Sequence, residues 1–153
     1  MSKEATAKTN VVLVDAVRTP FGKAGSLYAE TRADDIMVRC LRGLLERNPN
    51  VPADQIDDVA IAAATQTGDQ GMNIGRSVAI LAGIPKSVPG YSIDRWCAGA
   101  LTAVTTIAGG INMGAYDLAI AGGVEHMGHH PMGDGMDPNP RYLAEKLVDT
   151  DAL

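Results

Sequence analysis

Cys97 has the setting of a nucleophile. It follows a short apolar run, Val88 to Ile93, that reads as a buried strand, and it opens a stretch that reads as a helix. Unpaired backbone N–H groups and the positive end of the dipole at a helix start favour a thiolate over a thiol. Ligands of α/β sheets also sit beyond the carboxyl ends of the strands. Ala98, Gly99 and Ala100 are small, so an acyl group can approach the sulfur, and the Cys97 N–H is placed to donate to a thioester oxygen. The competing reading is a small buried core residue, since free cysteine is among the most buried residue types. Cys40 takes that second reading: it lies on an apolar stripe with Ile36, Leu41 and Leu44.

Other candidate groups point to structure rather than chemistry. His126, His129 and His130 form H-x-x-H-H with Glu125 and Asp134 as the nearby carboxylates, which matches no familiar zinc spacing, and no metal is expected. Glu125 ends an apolar run and reads as an anchor for loop N–H groups. Gly68, Gly71, Gly75 and Gly122-Gly123 make neither G-x-G-x-x-G nor a P-loop. Arg76, on a helix after a Gln/Asn loop, reads as a salt-bridge or helix-end contact.

The elements that must position Cys97 follow from periodicity and breakers. Val11 to Val17 reads as a strand that Pro20 stops. Asp34 is a candidate N-cap for an amphipathic helix that ends at Asn48-Pro49-Asn50. Asp58 to Thr65 reads as a second strand. A helix through Arg76, Val78 and Leu81 stops at Gly83 and Pro85. Val88 to Ile93 is the third strand, Cys97 to about Met113 an uncharged helix, and Leu118 to Val124 the fourth strand. The order β-α-β-α-β-α-β implies a mostly parallel sheet with helices on its faces. His126 to Pro140 is aperiodic and rich in His, Met, Pro and Gly, and Tyr142 to Val148 could form one short helix.

Composition narrows the function classes. The chain has 153 residues, with 13 Lys+Arg against 18 Asp+Glu and a net charge of −5. That balance argues against a nucleic-acid binder. Hydrophobic residues make up 46% and aromatics 4%, so the core must be built from aliphatic side chains and Met. Two cysteines are too few for a disulfide scaffold, and the polar residues 1–10 read as a flexible N-terminus without a secretory signal; a cytoplasmic protein with free thiols is expected. Arg95 to Asp117 encloses no charge, yet its Ala, Gly and Thr content suits burial inside a protein rather than a membrane span. A helix uncharged all round must be covered on every side. The other elements cannot supply all of that cover, so a further layer from a partner or a continuation of the chain is expected.

Taken together, four ordered motifs resemble the thiolases. They are Val14-Asp15-Ala16-Val17-Arg18-Thr19-Pro20-Phe21-Gly22-Lys23, Gln70-Gly71-Met72-Asn73-Ile74-Gly75-Arg76, Asp94-Arg95-Trp96-Cys97-Ala98-Gly99-Ala100-Leu101, and Ala121-Gly122-Gly123-Val124-Glu125-His126-Met127-Gly128-His129 with Pro131-Met132. The likeness is to the N-terminal half of the bacterial 3-ketoacyl-CoA thiolases of fatty-acid β-oxidation. It implies residues 11–125 as the thiolase N-terminal α/β domain, with a buried helix bearing the nucleophile, and residues 126–153 as the beginning of an inserted loop domain. It implies Cys97 as the residue that takes the acyl chain from 3-ketoacyl-CoA as an acyl-thioester, releases acetyl-CoA and passes the chain to CoA. CoA and acyl-CoA are then substrates, and no cofactor is bound covalently.

The same resemblance implies a C-terminal half that carries an activating histidine in a Gly-His-Pro segment and a second, acid/base cysteine. Neither is in this sequence, so the chain alone is expected to be inactive. A homodimer or homotetramer is implied, with a possible β-oxidation multienzyme partner. The sequence departs from the family pattern in having Ala98-Gly99-Ala100 after the cysteine, where relatives have Ser or Gly pairs, and Asp94 where many have Asn. Two alternatives stand beside this reading: a non-catalytic assembly or binding module with a thiolase-like half fold, and an acetoacetyl-CoA thiolase or other condensing enzyme.

Overall fold

The computed structural model describes residues 11–144. Its centre is a three-stranded sheet of order β2-β1-β3, formed by β1 (Asp58–Ala62), β2 (Tyr91–Ile93) and β3 (Ala119–Gly123). Both pairings are parallel, with Ala60 opposite Tyr91 on one side and Ala121 on the other. Parallel neighbours need crossover connections. The helices α2 (Ile74–Ala82) and α3 (Gly99–Asn112) supply them, while α1 (Ala33–Arg47) precedes the sheet and α4 (Arg141–Ala144) follows it.

Alternation along β1 sorts the two faces. Val59 and Ile61 point into a core with Met37, Val38 and Leu41 of α1 and Ile74 and Val78 of α2. Ala60 points the other way, onto Ala103 and Ile107 of α3. All five β1 residues are buried, as a central parallel strand requires. The first two helices read as expected, with one difference at a cap. The residue before α1 is Arg32, not Asp34. Asp34 sits in the first turn and grips Arg32 at 2.7 Å, and the Ala33 N–H donates instead to Asp69 at 2.9 Å.

The expected strand at Val11 to Val17 is not in the sheet. This segment is extended chain with Val12, Leu13 and Val14 exposed, tied down where Asp15 accepts from Arg47 and Asn48. A β-branched run fits a strand, but only a pairing neighbour makes one, and none of the described strands pairs with it. The strand expected at Val88 to Ile93 shrinks to Tyr91–Ile93 because Pro89-Gly90 interrupts it. Val88 still packs in the core. The strand expected over Asp58 to Thr65 ends at Ala62. The uncharged helix begins at Gly99, and Cys97 lies one step earlier on a 3₁₀ turn, Trp96–Ala98. Only one face of α3 is covered by the sheet; Leu101 and Val104 on its other face are exposed. The expected flexible segment 1–10, and the expected helix beyond Ala144, lie outside the described residues.

Candidate active site

Three chain segments meet at the carboxyl ends of the parallel strands. Ala62 to Thr65 leaves β1, Gly123 to Glu125 leaves β3, and the turn Trp96–Ala98 leads into α3. Between them lies a cavity of about 640 Å³, within the range of small-molecule sites. Small residues make its floor. A Cβ on Gly123 would stand 3.0 Å from the Ala100 Cβ, and one on Gly99 2.8 Å from the Ala62 Cβ, so α3 approaches the sheet almost backbone to backbone.

Cys97 opens into this cavity and is exposed, whereas Cys40 is half-buried against the core beneath α1. The turn that presents Cys97 is unusual. Trp96 has φ 47°, the left-handed region that bulky residues avoid. The Trp96 N–H reaches back to Asp94 at 3.3 Å, and the Ala98 N–H to the Arg95 carbonyl at 3.0 Å. The sharp turn lifts Cys97 off the end of β2 and aims the chain into α3. Arg95 reaches forward to Thr102 at 3.3 Å.

Glu125 ties the cavity rim together. Its carboxylate accepts from the Ala64 N–H at 2.7 Å and from the Gln70 amide at 2.9 Å. Gln70, fully buried, also donates to the Thr65 carbonyl at 2.7 Å and accepts from the His126 N–H. Glu125 is thus an anchor for loop N–H groups. Apart from Cys97 it is the one ionisable residue among the described residues that line the cavity, and its carboxylate is engaged by Ala64 and Gln70. The outer wall is apolar and built of flexible side chains: Met127, Met132 and Met136 come from the loop after β3.

The three histidines fold under that loop. His126 stacks on His129 with ring centroids 3.9 Å apart and donates from Nε2 to the Tyr28 carbonyl at 2.9 Å. His129 and His130 converge on Asp69. No group of three or more His, Cys, Asp or Glu is placed to hold a metal among the described residues. Burial works against the Asp69 charge, but the Ala33 N–H and both imidazoles outweigh it and hold its carboxyl well below the usual range. The Ala29 carbonyl, then Asp69, push His129 above 6.5. Burial opposes charge on His130, and Asp134 and Asp69 together override it, raising that ring as well. Arg76 makes neither of the expected contacts, a salt bridge or a helix-end bond; it clamps the carbonyls of Val88 and Lys86 in the loop between α2 and β2.

Sequence reasoning did not find Asp69, Gln70, the methionine wall or the left-handed Trp96. Gly68 and Gly71 flanking Asp69-Gln70 were the available signal of a tight, functional turn. No helix among the described residues is long and apolar enough to cross a membrane.

Comparison with known proteins identifies relatives of this chain. The 3-ketoacyl-CoA thiolase of Aliivibrio salmonicida is 44% identical over 129 residues, 84% of this chain and 33% of that protein. The 3-ketoacyl-CoA thiolase of Serratia proteamaculans is 43% identical over 132 residues, 86% of this chain and 34% of that protein. The chain therefore spans about a third of the length of the curated relatives it matches. In the crystal structure of the Bacillus anthracis acetyl-CoA acetyltransferase, a fold with TM-score 0.75 covers 94% of this chain and 38% of that one, at 29% identity. A cysteine raised on a strained turn over an apolar cavity thus sits in a sequence whose residues 11–153 match the thiolase N-terminal domain, and the chain belongs to the thiolase family.

Proposed function

We propose that this chain is the cysteine-bearing part of a 3-ketoacyl-CoA thiolase, with Cys97 as the acyl-accepting nucleophile. In the forward reaction the Cys97 thiolate attacks the 3-keto carbon. The bond between carbons 2 and 3 breaks, its electron pair leaves with acetyl-CoA as the enolate, and an acid protonates carbon 2. The acyl-thioester on Cys97 then yields to the thiol of a second CoA, which loses its proton as the acyl-CoA forms and the Cys97 thiolate is restored. The resemblance assigns the activating histidine and the acid/base cysteine to a C-terminal half, so the chain alone holds the acceptor and not the proton chemistry. CoA enters as substrate, and no covalently bound cofactor is part of the reading.

The observation that carries this reading is the exposed Cys97 sulfur at an apolar cavity beyond the carboxyl ends of the strands. Sequence relatives named 3-ketoacyl-CoA thiolase, at 41–44% identity, support this reading. The reading extends to a cytoplasmic, oligomeric protein of fatty-acid degradation, a homodimer or homotetramer, with a β-oxidation multienzyme partner. Residues 11–125 would be its N-terminal α/β domain and residues from 126 the start of its loop domain.

The test is intact-mass analysis after mixing the chain with a C-terminal thiolase half and a 3-ketoacyl-CoA. An acyl adduct on Cys97, abolished by Cys97→Ala and discharged by CoA, is expected. A thiol alkylator should label Cys97 ahead of Cys40. Equal labelling of the two cysteines, with no acyl adduct, would reject the reading and leave the non-catalytic assembly module.

A further inference from the structure

A polar cluster of Asp69, His129, His130 and Asp134 lies outside the cavity lining, beside the loop that forms its outer wall. The Asp69 side chain is 7% exposed and accepts from three directions: the Ala33 N–H at 2.9 Å, His129 Nδ1 at 3.1 Å and His130 Nε2. The other nitrogen of each ring also faces an acceptor, the Ala29 carbonyl at 2.8 Å for His129 and the Asp134 carboxylate at 3.0 Å for His130. Carbonyls and ionised carboxylates cannot donate. Every contact is made only when both rings are imidazolium.

His126 differs. Its Nδ1 accepts from the His129 N–H at 3.2 Å while Nε2 donates, so the contacts made by this ring describe the neutral form. The turn is shaped for the cluster as well, since a Cβ on Gly68 would meet His130 Cε1 at 2.5 Å.

We propose that Asp69 is a positioning residue: through His129 and His130 it sets the place of the Met132–Met136 segment, and with it the room for an acyl chain beside Cys97. The inference rests on the reading of Cys97 as the acyl acceptor. The chain path carries it. Met132 lies two residues beyond His130, and the segment is folded on itself by Asp134 N–H to Pro131 and Met136 N–H to Gly133 contacts of 2.9 and 3.1 Å. Among the described residues, the side-chain hydrogen bonds that tie its start to the body of the protein are those of the histidines with Asp69, Tyr28 and Ala29, beside the His126 N–H to Gln70; Gly135 also lies against Thr67. The wall these ties hold is built of methionines, which adapt to unbranched chains of different length.

The charged and titratable groups facing the two rings are Glu30 ahead of α1, Asp69 on the turn, and His126 and Asp134 in the loop itself, while Arg32 acts on Asp69. Deprotonation of either imidazolium sets a lone pair against an acceptor. The wall is therefore held at mildly acid pH and released as pH climbs through the raised imidazole values.

The test uses the whole chain and two reagents, methyl and octyl methanethiosulfonate. The Cys97 thiolate attacks the sulfenyl sulfur of either, forming a disulfide and expelling methanesulfinate. The octyl-to-methyl rate ratio at Cys97, read by peptide mass, cancels the thiolate fraction at each pH. At pH 6 a ratio of about ten is expected, the effect of about two methylenes buried against the wall. The ratio should fall toward one in Asp69→Asn and as the pH of the parent is raised to 9.

Asp134→Asn, at a carboxylate 44% exposed, keeps the test alive should Asp69→Asn misfold, and it should lower the ratio at pH 6. A ratio near one in the parent, a ratio flat with pH, or a ratio unchanged in folded Asp134→Asn would overturn the positioning role. Failure of acyl-CoA to label Cys97 is a separate result; it would remove the thiolase chemistry and leave this ratio standing.

Discussion

Two imidazolium rings on one carboxylate make the contact beneath the loop after β3 titratable, and the signs can be worked through. The His129 and His130 pKa values are raised above 6.5, so their contribution to stability is complete below 6.5 and is lost as pH rises through the raised values. The Asp69 value is lowered, so its contribution is complete above 3.8 and is lost only in strong acid. The full cluster therefore stabilises between 3.8 and 6.5. The urea midpoint followed by circular dichroism should be higher at pH 6 than at pH 9, and Asp69→Asn should shrink that difference; equal differences in the two proteins would exclude the cluster as its source. Gly68→Ala should destabilise by about 1–2 kcal/mol from the left-handed backbone alone. The clash with His130 adds to this, because Gly68 has φ 50° and its new Cβ would sit 2.5 Å from the ring. Composition and spacing suggested none of this. Asp69 is separated from His129 and His130 by about sixty residues of chain, and hydrogen bonds across that distance leave no periodic trace.

At the scale of the element, close approach of backbones decides the packing. Gly75 in the first turn of α2 lies against Tyr91 of β2, where an added Cβ would be 2.0 Å from the carbonyl oxygen. A backbone cannot move aside as a side chain can. Gly75→Ala should cost about 1–3 kcal/mol, as overpacked cores do, and should loosen β2 and the turn that carries Cys97. Gly43 in α1 meets nothing within 4 Å, and Gly43→Ala should stabilise by about 0.4–1 kcal/mol through the unfolded state. Thermal melts of the two variants should move in opposite directions, and a common direction would contradict the packing described. The helices were legible because an apolar stripe, a Gly83 stop and Asn48-Pro49-Asn50 are local signals. β1 and β3 were legible as apolar runs with parallel connections. Val11 to Val17 carries the same kind of run and pairs with none of the described strands, because partner choice is set by the rest of the fold and not by the run itself. The position of Cys97 at the turn between strand and helix was legible; the left-handed Trp96 beside it was not, since nothing in the residue type foretells a positive φ.

At the scale of the whole molecule, the outer face of α3 is one of the places where apolar side chains lack cover among the described residues. Leu101 is 68% exposed and Val104 47% on the outer face of α3, while Ala103 and Ile107 on its inner face meet the sheet. Exposed apolar side chains on a helix without charges, if they form one patch, mark an interaction surface or an aggregation hazard. The uncharged stretch from Arg95 to Asp117 already required cover on every side. On the proposed reading that cover is the C-terminal half, which would also bring the missing base to Cys97, so assembly and catalysis should fail together. Leu101→Glu should leave the stability of the chain alone within about 0.5 kcal/mol, since the side chain is already in solvent. The same substitution should abolish the recovery of 3-ketoacyl-CoA thiolysis when a C-terminal thiolase half is added. Arg39→Glu, at an exposed position on α1 in the opposite layer, should leave that recovery intact. Thiolysis by the mixture, followed as loss of the 3-ketoacyl-CoA enolate absorbance, separates the outcomes. Full recovery with Leu101→Glu would mean that the outer face of α3 is not where the second half docks, and the base for Cys97 would have to arrive from another side of the cavity.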